Sequence, residues 1–275
     1  MSASDERKRR LRLCFVGWGA IAGRVGELLA ERQPEGVEIV AIAVRDPERE
    51  RPDLPEGVRL ITSPEELRGL DIDMVIEAAG RPAVAIWGEA ALRHAASFVV
   101  SSVSAFTDES MLGLLLAVAE ETGSRIVVPS GALGDLGALV AASVLPVDEA
   151  RHTIIKPPLA WKGTRAAEMI DLDRLARRTE FFAGTARQAA DAFPQNANVA
   201  VISALSGIGL DRTRVVLVAD PAASRNIHEI SATGAFGKLD LRLENEPLKT
   251  NPKSSEMTAL SLVRLIENAV APLVR

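Results

Sequence analysis

The sequence predicts two packed parts, a doubly wound α/β part followed by an α+β part, on three observations. Through about residue 130, strand-like and helix-like segments alternate, and the strands are continuous apolar runs, the pattern of a parallel sheet covered on both faces. A Gly-rich turn, Gly17-Trp18-Gly19-Ala20-Ile21-Ala22, stands between the first such strand and the first helix. After Pro129 the alternation stops, and strand-like runs are grouped together with helices between them. The expected fold class is therefore α/β: a Rossmann-type doubly wound parallel sheet domain over 1–130, plus a second α+β domain with a mainly antiparallel sheet over 131–253. The final helix, within 254–275, is expected to pack back on the first domain.

The elements follow in order. Leu11–Val16 is a short apolar strand, and Ala20–Arg32 has helical spacing, with Ile21, Val25, Leu28 and Leu29 on one face. Val37–Val44 is a β-branched strand. Pro64–Leu67 is a short helix behind the Ser63 cap. Met74–Ile76 is a strand ending in Glu77-Ala78-Ala79-Gly80, and Ala83–His94 is a helix. Phe98–Val100 is a strand, Asp108–Thr122 a helix and Arg125–Val128 a strand. Each crossover is expected to be right-handed. In the second part, Ala132–Val144, Asp171–Arg177, Ala186–Ala192 and Val199–Leu205 read as helices. His152–Lys156, Val215–Val218, Asn226–Ala232 and Lys238–Leu243 read as strands, before an amphipathic helix over Glu256–Ala269.

Composition removes several classes of function. A formal net charge of -5 argues against a nucleic-acid binder, which needs a basic face. The single cysteine, Cys14, rules out an intrachain disulfide and a Cys-type zinc site, and its apolar surroundings make it a small buried hydrophobe. No metal site is expected. No apolar stretch approaches the roughly 18 residues of a membrane helix, and no signal core follows the polar start of the chain. The basic cluster Arg7–Arg10 reads as a solvated leader. The expected setting is the cytoplasm, with small-molecule partners, no nucleic acid and no membrane.

The Gly-rich turn has a specific chemistry. Gly17 permits a tight turn out of the strand, Gly19 lets the backbone approach a pyrophosphate, and Ala22 lets the helix pack close to the strand. The pyrophosphate then rests on the helix start at Ala20 and Ile21. Ala79 and Gly80, at the end of the Met74 strand, are expected to border the same cofactor. The strand–turn–helix context supports NAD or NADP as the ligand. The second strand ends in Ala43-Val44-Arg45-Asp46, so Arg45 stands near the place where an acid more often holds the ribose 2′-hydroxyl. Arg45 suits a 2′-phosphate and Asp46 a ribose, and the preference stays open between the two dinucleotides.

Polar clusters interrupt the apolar sequence of the second part: KPPLAWKGT at Lys156–Thr164, FPQNANVA at Phe193–Ala200, Ala219-Asp220-Pro221 followed by NIHEI at Asn226–Ile230, and NPKSS at Asn251–Ser255. With the Gly-rich turn and in this order, they make the chain resemble the L-aspartate dehydrogenase family over nearly its whole length. The resemblance implies oxidation of L-aspartate with NAD(P)+ to iminoaspartate, then oxaloacetate and ammonia, feeding NAD biosynthesis. It implies that His228 is catalytic, that Ala132 and Asn198 touch the nicotinamide cofactor, and that the protein is a homodimer. The chain departs from the family's usual pattern at Gly134-Asp135-Leu136-Gly137, where a small residue and an acid are exchanged, and at Ser104, where Gly is common.

The residues themselves are compatible with that chemistry. Amine oxidation by hydride transfer needs a base, and imidazole serves near neutral pH. There is no tyrosine to take that role. Of the three histidines, His94 sits among alanines on a helix, His152 starts a strand and is open to either role, and His228 lies between Asn226 and Glu229. A strand histidine taken alone reads as structural; with the resemblance, His228 reads as catalytic. A dicarboxylate needs donors, and Lys156, Thr164, Asn196 and Lys253 are the candidates. Asn196 is equally placed to cap the following helix, and Lys253 to be a surface charge beside one. Two other readings stand beside this one: another NAD(P)-dependent dehydrogenase or reductase of the homoserine dehydrogenase type, and a dinucleotide-binding sensor without turnover.

Overall fold

The computed structural model describes residues 10–274; of the basic cluster noted above, Arg7–Arg9 lie outside that range. The chain forms two compact units. One takes the chain up to Ser102, Ser110–Pro129 and Leu262 onward; the other takes Val103–Glu109 and Ser130–Ser261.

The first unit is built on β1 (Leu11–Val16), α1 (Ala20–Arg32), β2 (Val37–Ala43), β3 (Arg59–Ile61), β4 (Met74–Glu77), α2 (Arg81–His94), β5 (Ser97–Val100), α3 (Glu109–Thr122) and β6 (Arg125–Val127). The strands pair in parallel throughout, in the order β3-β2-β1-β4-β5-β6. Their middles are apolar and sealed: Leu13, Phe15, Ile42, Val75, Ile76 and Val99 have no exposure, which is why they read as unbroken hydrophobic runs. Cys14 is among them, and burial pushes its thiol up to about 12, so it stays an inert core residue. The strand order reverses between β1 and β4, so the crevice beyond their carboxyl ends is the place such sheets keep for ligands.

The second unit contains α4 (Gly137–Ala142), β7 (Val147–Lys156), α5 (Ala166–Met169), β8 (Thr179–Thr185), α6 (Ala186–Ala192), α7 (Ala197–Leu205), β9 (Arg214–Ala219), β10 (Asn226–Gly234), β11 (Gly237–Asn245), β12 (Pro247–Leu248) and β13 (Asn251–Ser255). Five strands form one sheet in the order β11-β10-β7-β9-β8, and β12 pairs with β13 apart from it. Only β7 and β9 run parallel within the five-stranded sheet; its other pairs are antiparallel. One face carries Ile155, Val216, Val218 and Ile227. Residues paired across strands share a face, so the other face presents His152, Ile154 and Lys156 from β7 with His228 and Ile230 from β10. The last helix, α8 (Glu256–Val270), begins in the second unit; from Leu262 it belongs to the first, where Glu267 forms a two-pronged ion pair with Arg32 of α1.

Several elements differ from the expectation. The helix expected over Asp171–Arg177 is a turn: the Asp171 carboxylate accepts the backbone N–H groups of Asp173 and Arg174, as an N-cap does, but the chain does not go on into a helix. The helix expected over Ala132–Val144 shrinks to a 3-10 turn at Gly131–Leu133 and to α4. Gly134, at φ +69°, breaks the run, and the Asp135 carboxylate takes the Gly137 N–H. Strands β3 and β8 were not expected. The short helix at Pro64–Leu67 is a 3-10 turn, closed by reciprocal bonds between Ser63 and Glu66.

Candidate active site

At the end of β1, Gly17 adopts φ +89° and lies so close to β4 that an added Cβ would sit 2.7 Å from the Cβ of Ala79. Gly19 contrasts with it. A Cβ there would meet nothing within 4 Å, so the glycine leaves open space beside the start of α1. No side chain caps that helix, and its first intrahelical bond comes from the N–H of Gly23 to the carbonyl of Gly19. The N–H groups of Ala20, Ile21 and Ala22 are therefore the helix's unspent donors, beside a surface that has no Cβ to obstruct an anion. Ala22 is fully buried, as close helix–strand packing requires. The observed cradle fits a dinucleotide pyrophosphate.

A buried carboxylate shapes the other wall of this crevice. Glu77 closes β4 with no exposure. Its Oε1 accepts the N–H groups of Ala79 (2.7 Å) and Gly80 (2.8 Å) and the hydroxyl of Ser102 (2.9 Å), and its Oε2 accepts the Ser102 N–H (2.9 Å). Burial raises its pKa against the opposing pull of those donors. The bonds draw the Ala79–Gly80 turn back over the strand end. The functional reading of the sequence passed over Glu77, although an acid inside an apolar strand was a visible signal.

Arg45 is exposed just beyond β2. The neighbouring Asp46 spends one carboxylate oxygen on the Glu48 N–H, while Arg51 bonds the carbonyls of Asp46 and Arg49. Asp46 is thus engaged in holding its own turn.

In the second unit, the sheet face described above gathers the polar groups. His228 and His152 are diagonal neighbours on β10 and β7, with His228 Nδ1 3.1 Å from His152 Nε2. His152 Nδ1 lies 2.9 Å from the hydroxyl of Ser203 on α7. All three residues are buried. Burial lowers the pKa of His152 to about 3. That of His228 is held well below 6.5, first by burial and then by the neighbouring His152 and Lys156. Both rings are neutral near pH 7. Lys156, half-buried at the end of β7, donates to Asn196 Oδ1 and lies 5.3 Å from the centre of the Trp161 ring. Burial lowers its pKa to about 8, so it remains mostly a cation at neutral pH.

Asn196 stands at the cap position of α7, but its side chain serves Lys156 and makes no cap bond. Asn198, exposed in the first turn of α7, accepts the Ser104 N–H at 2.9 Å through Oδ1, so the donors of its amide are not used in that bond. The carbonyl of Ala132 is held by Asn245 Nδ2 at 2.7 Å. Thr164 is committed to its own turn, donating to the Trp161 carbonyl and accepting the Ala166 N–H. Lys253 is exposed on β13. Of the four candidate substrate contacts, the structure joins Lys156 and Asn196 to each other beside His228 and places Thr164 and Lys253 in other surroundings. Among the described residues no group of acids, histidines and cysteines is arranged to hold a metal ion, and no helix is long and apolar enough to cross a membrane.

Known proteins show the same division. The family model described as homoserine dehydrogenase, NAD binding domain, matches residues 17–129, and the one described as aspartate dehydrogenase, C-terminal, matches residues 137–269. The chain is 57% identical to an L-aspartate dehydrogenase of Brucella anthropi, over 94% of its own length and 96% of that protein. It is 41% identical to one of Cupriavidus necator, over 94% and 97%. The structure of aspartate dehydrogenase from Thermotoga maritima superposes with a TM-score of 0.77 at 25% identity, over 97% of this chain and all of that one. Near-complete coverage at such identity makes the chain a member of the L-aspartate dehydrogenase family.

Proposed function

We infer that the protein oxidises L-aspartate at Cα with NAD+ or NADP+, producing iminoaspartate, the reduced dinucleotide and a proton, and that water then converts the imine to oxaloacetate and ammonia. The observation that carries this reading is the neutral imidazole of His228 beside the half-buried ammonium of Lys156, which Asn196 holds in place. That pair supplies a proton acceptor and a carboxylate partner on one rigid sheet face, and the family's named relatives act on an amino dicarboxylate.

A bound nicotinamide dinucleotide supplies the hydride acceptor. The chain's own groups bind and orient. Gly19 and the N–H groups of Ala20, Ile21 and Ala22 receive the pyrophosphate, with Ala79 and Gly80 lining the crevice beyond β4. Arg45 meets the adenosine end, where a 2′-phosphate suits it. Asn198 presents amide N–H groups to the carboxamide, and the Ala132 turn, anchored through Asn245, borders it. Lys156 pairs with a substrate carboxylate. His228 takes the proton released as C=N forms and passes it to solvent; once neutral again, it takes one from the water that attacks the imine carbon and returns it to the departing amine. A homodimer, which the resemblance implies, belongs to the same reading.

The test is absorbance of the reduced dinucleotide when purified protein meets L-aspartate with NAD+ or NADP+, and its loss with oxaloacetate and ammonia in the reverse direction. His228→Ala is expected to retain dinucleotide affinity and lose most turnover. Dinucleotide binding without turnover in either direction would replace the enzyme by a sensor.

A further inference from the structure

The hydrogen bonds behind His228 fix more than its position. Ser203 has one hydroxyl proton, and its oxygen lies 3.0 Å from the Ala200 carbonyl and 2.9 Å from His152 Nδ1. If the proton goes to Ala200, the Ser203 oxygen accepts from His152 Nδ1–H. His152 Nε2 is then an acceptor and must receive the Nδ1–H of His228 at 3.1 Å. All three contacts become hydrogen bonds. If the proton goes to His152, the rings reverse, His152 donates to His228, and the Ala200 contact is unmade. In a buried setting the arrangement that satisfies more polar contacts prevails.

We propose that Ser203 and His152 are positioning residues that fix His228 as its Nδ1–H tautomer, leaving His228 Nε2 as the ring nitrogen with the free lone pair. The inference rests on the reading of His228 as the base. It adds a reason why that base offers one defined nitrogen: a two-ring relay ends on a serine whose own proton is spent on the backbone. Neither ring carries a charge near neutral pH, since burial disfavours both imidazolium forms, so the tautomer is the only proton choice left to the pair.

The experiment is a long-range proton–nitrogen correlation spectrum of the nitrogen-labelled full chain near neutral pH, carrying His94→Gln. His94 is exposed and lies outside the pair, so its removal leaves only the two rings in question. The relay expects both rings as Nδ1–H; an Nε2–H signal from either ring overturns it. A second measurement addresses function. Ser203→Ala is expected to mix the two tautomers in that spectrum and to lower kcat roughly tenfold, with an unchanged dinucleotide Kd, while Ser203→Thr restores both. Unchanged kcat in Ser203→Ala overturns the positioning role. If the rings are Nδ1–H but aspartate is not oxidised, the aspartate reading fails and the tautomer assignment stands. If aspartate is oxidised by a protein with Nε2–H rings, the relay fails alone.

Discussion

Gly17 and Ala79 touch across the carboxyl ends of β1 and β4: a Cβ added to the glycine would stand 2.7 Å from the alanine Cβ and 3.0 Å from its Cα. The glycine also holds φ +89°, a conformation that L side chains rarely adopt. Gly17→Ala therefore carries two separable penalties, together about 2–4 kcal/mol of stability, and weaker dinucleotide binding as the crevice is pushed apart. Ala79→Gly in the same chain removes the Cβ–Cβ clash and leaves the strained φ. The double variant is expected to recover part of the loss in chemical denaturation. Full recovery would show that backbone strain contributes nothing.

Arg45 is expected to separate the two dinucleotides. Its side chain is exposed beyond β2, while Asp46 is turned to its own loop, so the cation faces less local competition than a ribose-binding acid would impose. Arg45→Ala is expected to weaken NADP+ binding about tenfold or more, the scale of a charged hydrogen bond, with little change for NAD+. Titration with both dinucleotides measures it; equal losses reject a 2′-phosphate contact.

Lys156 is expected to make dicarboxylate binding weaken at alkaline pH. With its pKa lowered to about 8 by burial, it is an ammonium below that value and a neutral amine above it. Affinity for a carboxylate is then highest below about pH 8 and falls as pH rises through it. Succinate reports this without an amine of its own to titrate. Its inhibition constant is expected to climb above pH 8 in the wild type and at a higher pH in Lys156→Arg. In Lys156→Met it is weak throughout, by roughly tenfold or more. A pH-independent constant in the wild type removes Lys156 from the substrate contacts.

The parts of the molecule that were legible in its sequence share a physical cause. Strands such as β1, β4 and β9 are sealed on both faces and so appear as unbroken apolar runs. The Gly17 turn was readable because its glycines answer to a positive φ and an open approach. The three residues of β3 are too few to carry a period, and β8 mixes Glu180 and Gly184 with its aromatics. At the site, the motifs pointed to His228, Lys156 and Asn196 as separate residues. The bond between Lys156 and Asn196, and the link from His228 through His152 to Ser203, cross between strands and a helix. They depend on how β7 pairs with β10 and on how α7 packs against β7, which no local pattern encodes. At Asp171, likewise, the cap bonds of a helix start are present and the helix is not, so a local signal alone did not decide the element.

The buried histidine pair also ties stability to acid. His152 binds its proton in the folded protein only near pH 3, and His228 only well below its ordinary value, whereas both are free to take one near 6.5 when the chain unfolds. Unfolding therefore takes up protons below about pH 6.5. The stabilisation from neutral rings is complete above that value and is lost as pH falls toward the folded values, at about 1.4 kcal/mol per pH unit for each ring. Glu77 acts in the opposite sense, since its raised pKa favours the folded state below its ordinary value and loses that contribution as pH rises. The difference between variants isolates the rings. Between pH 6.5 and 5, the unfolding free energy of the wild type is expected to fall more steeply than that of His228→Gln, by about one ring's share. Equal slopes in the two would mean that the pair is not buried as neutral imidazoles.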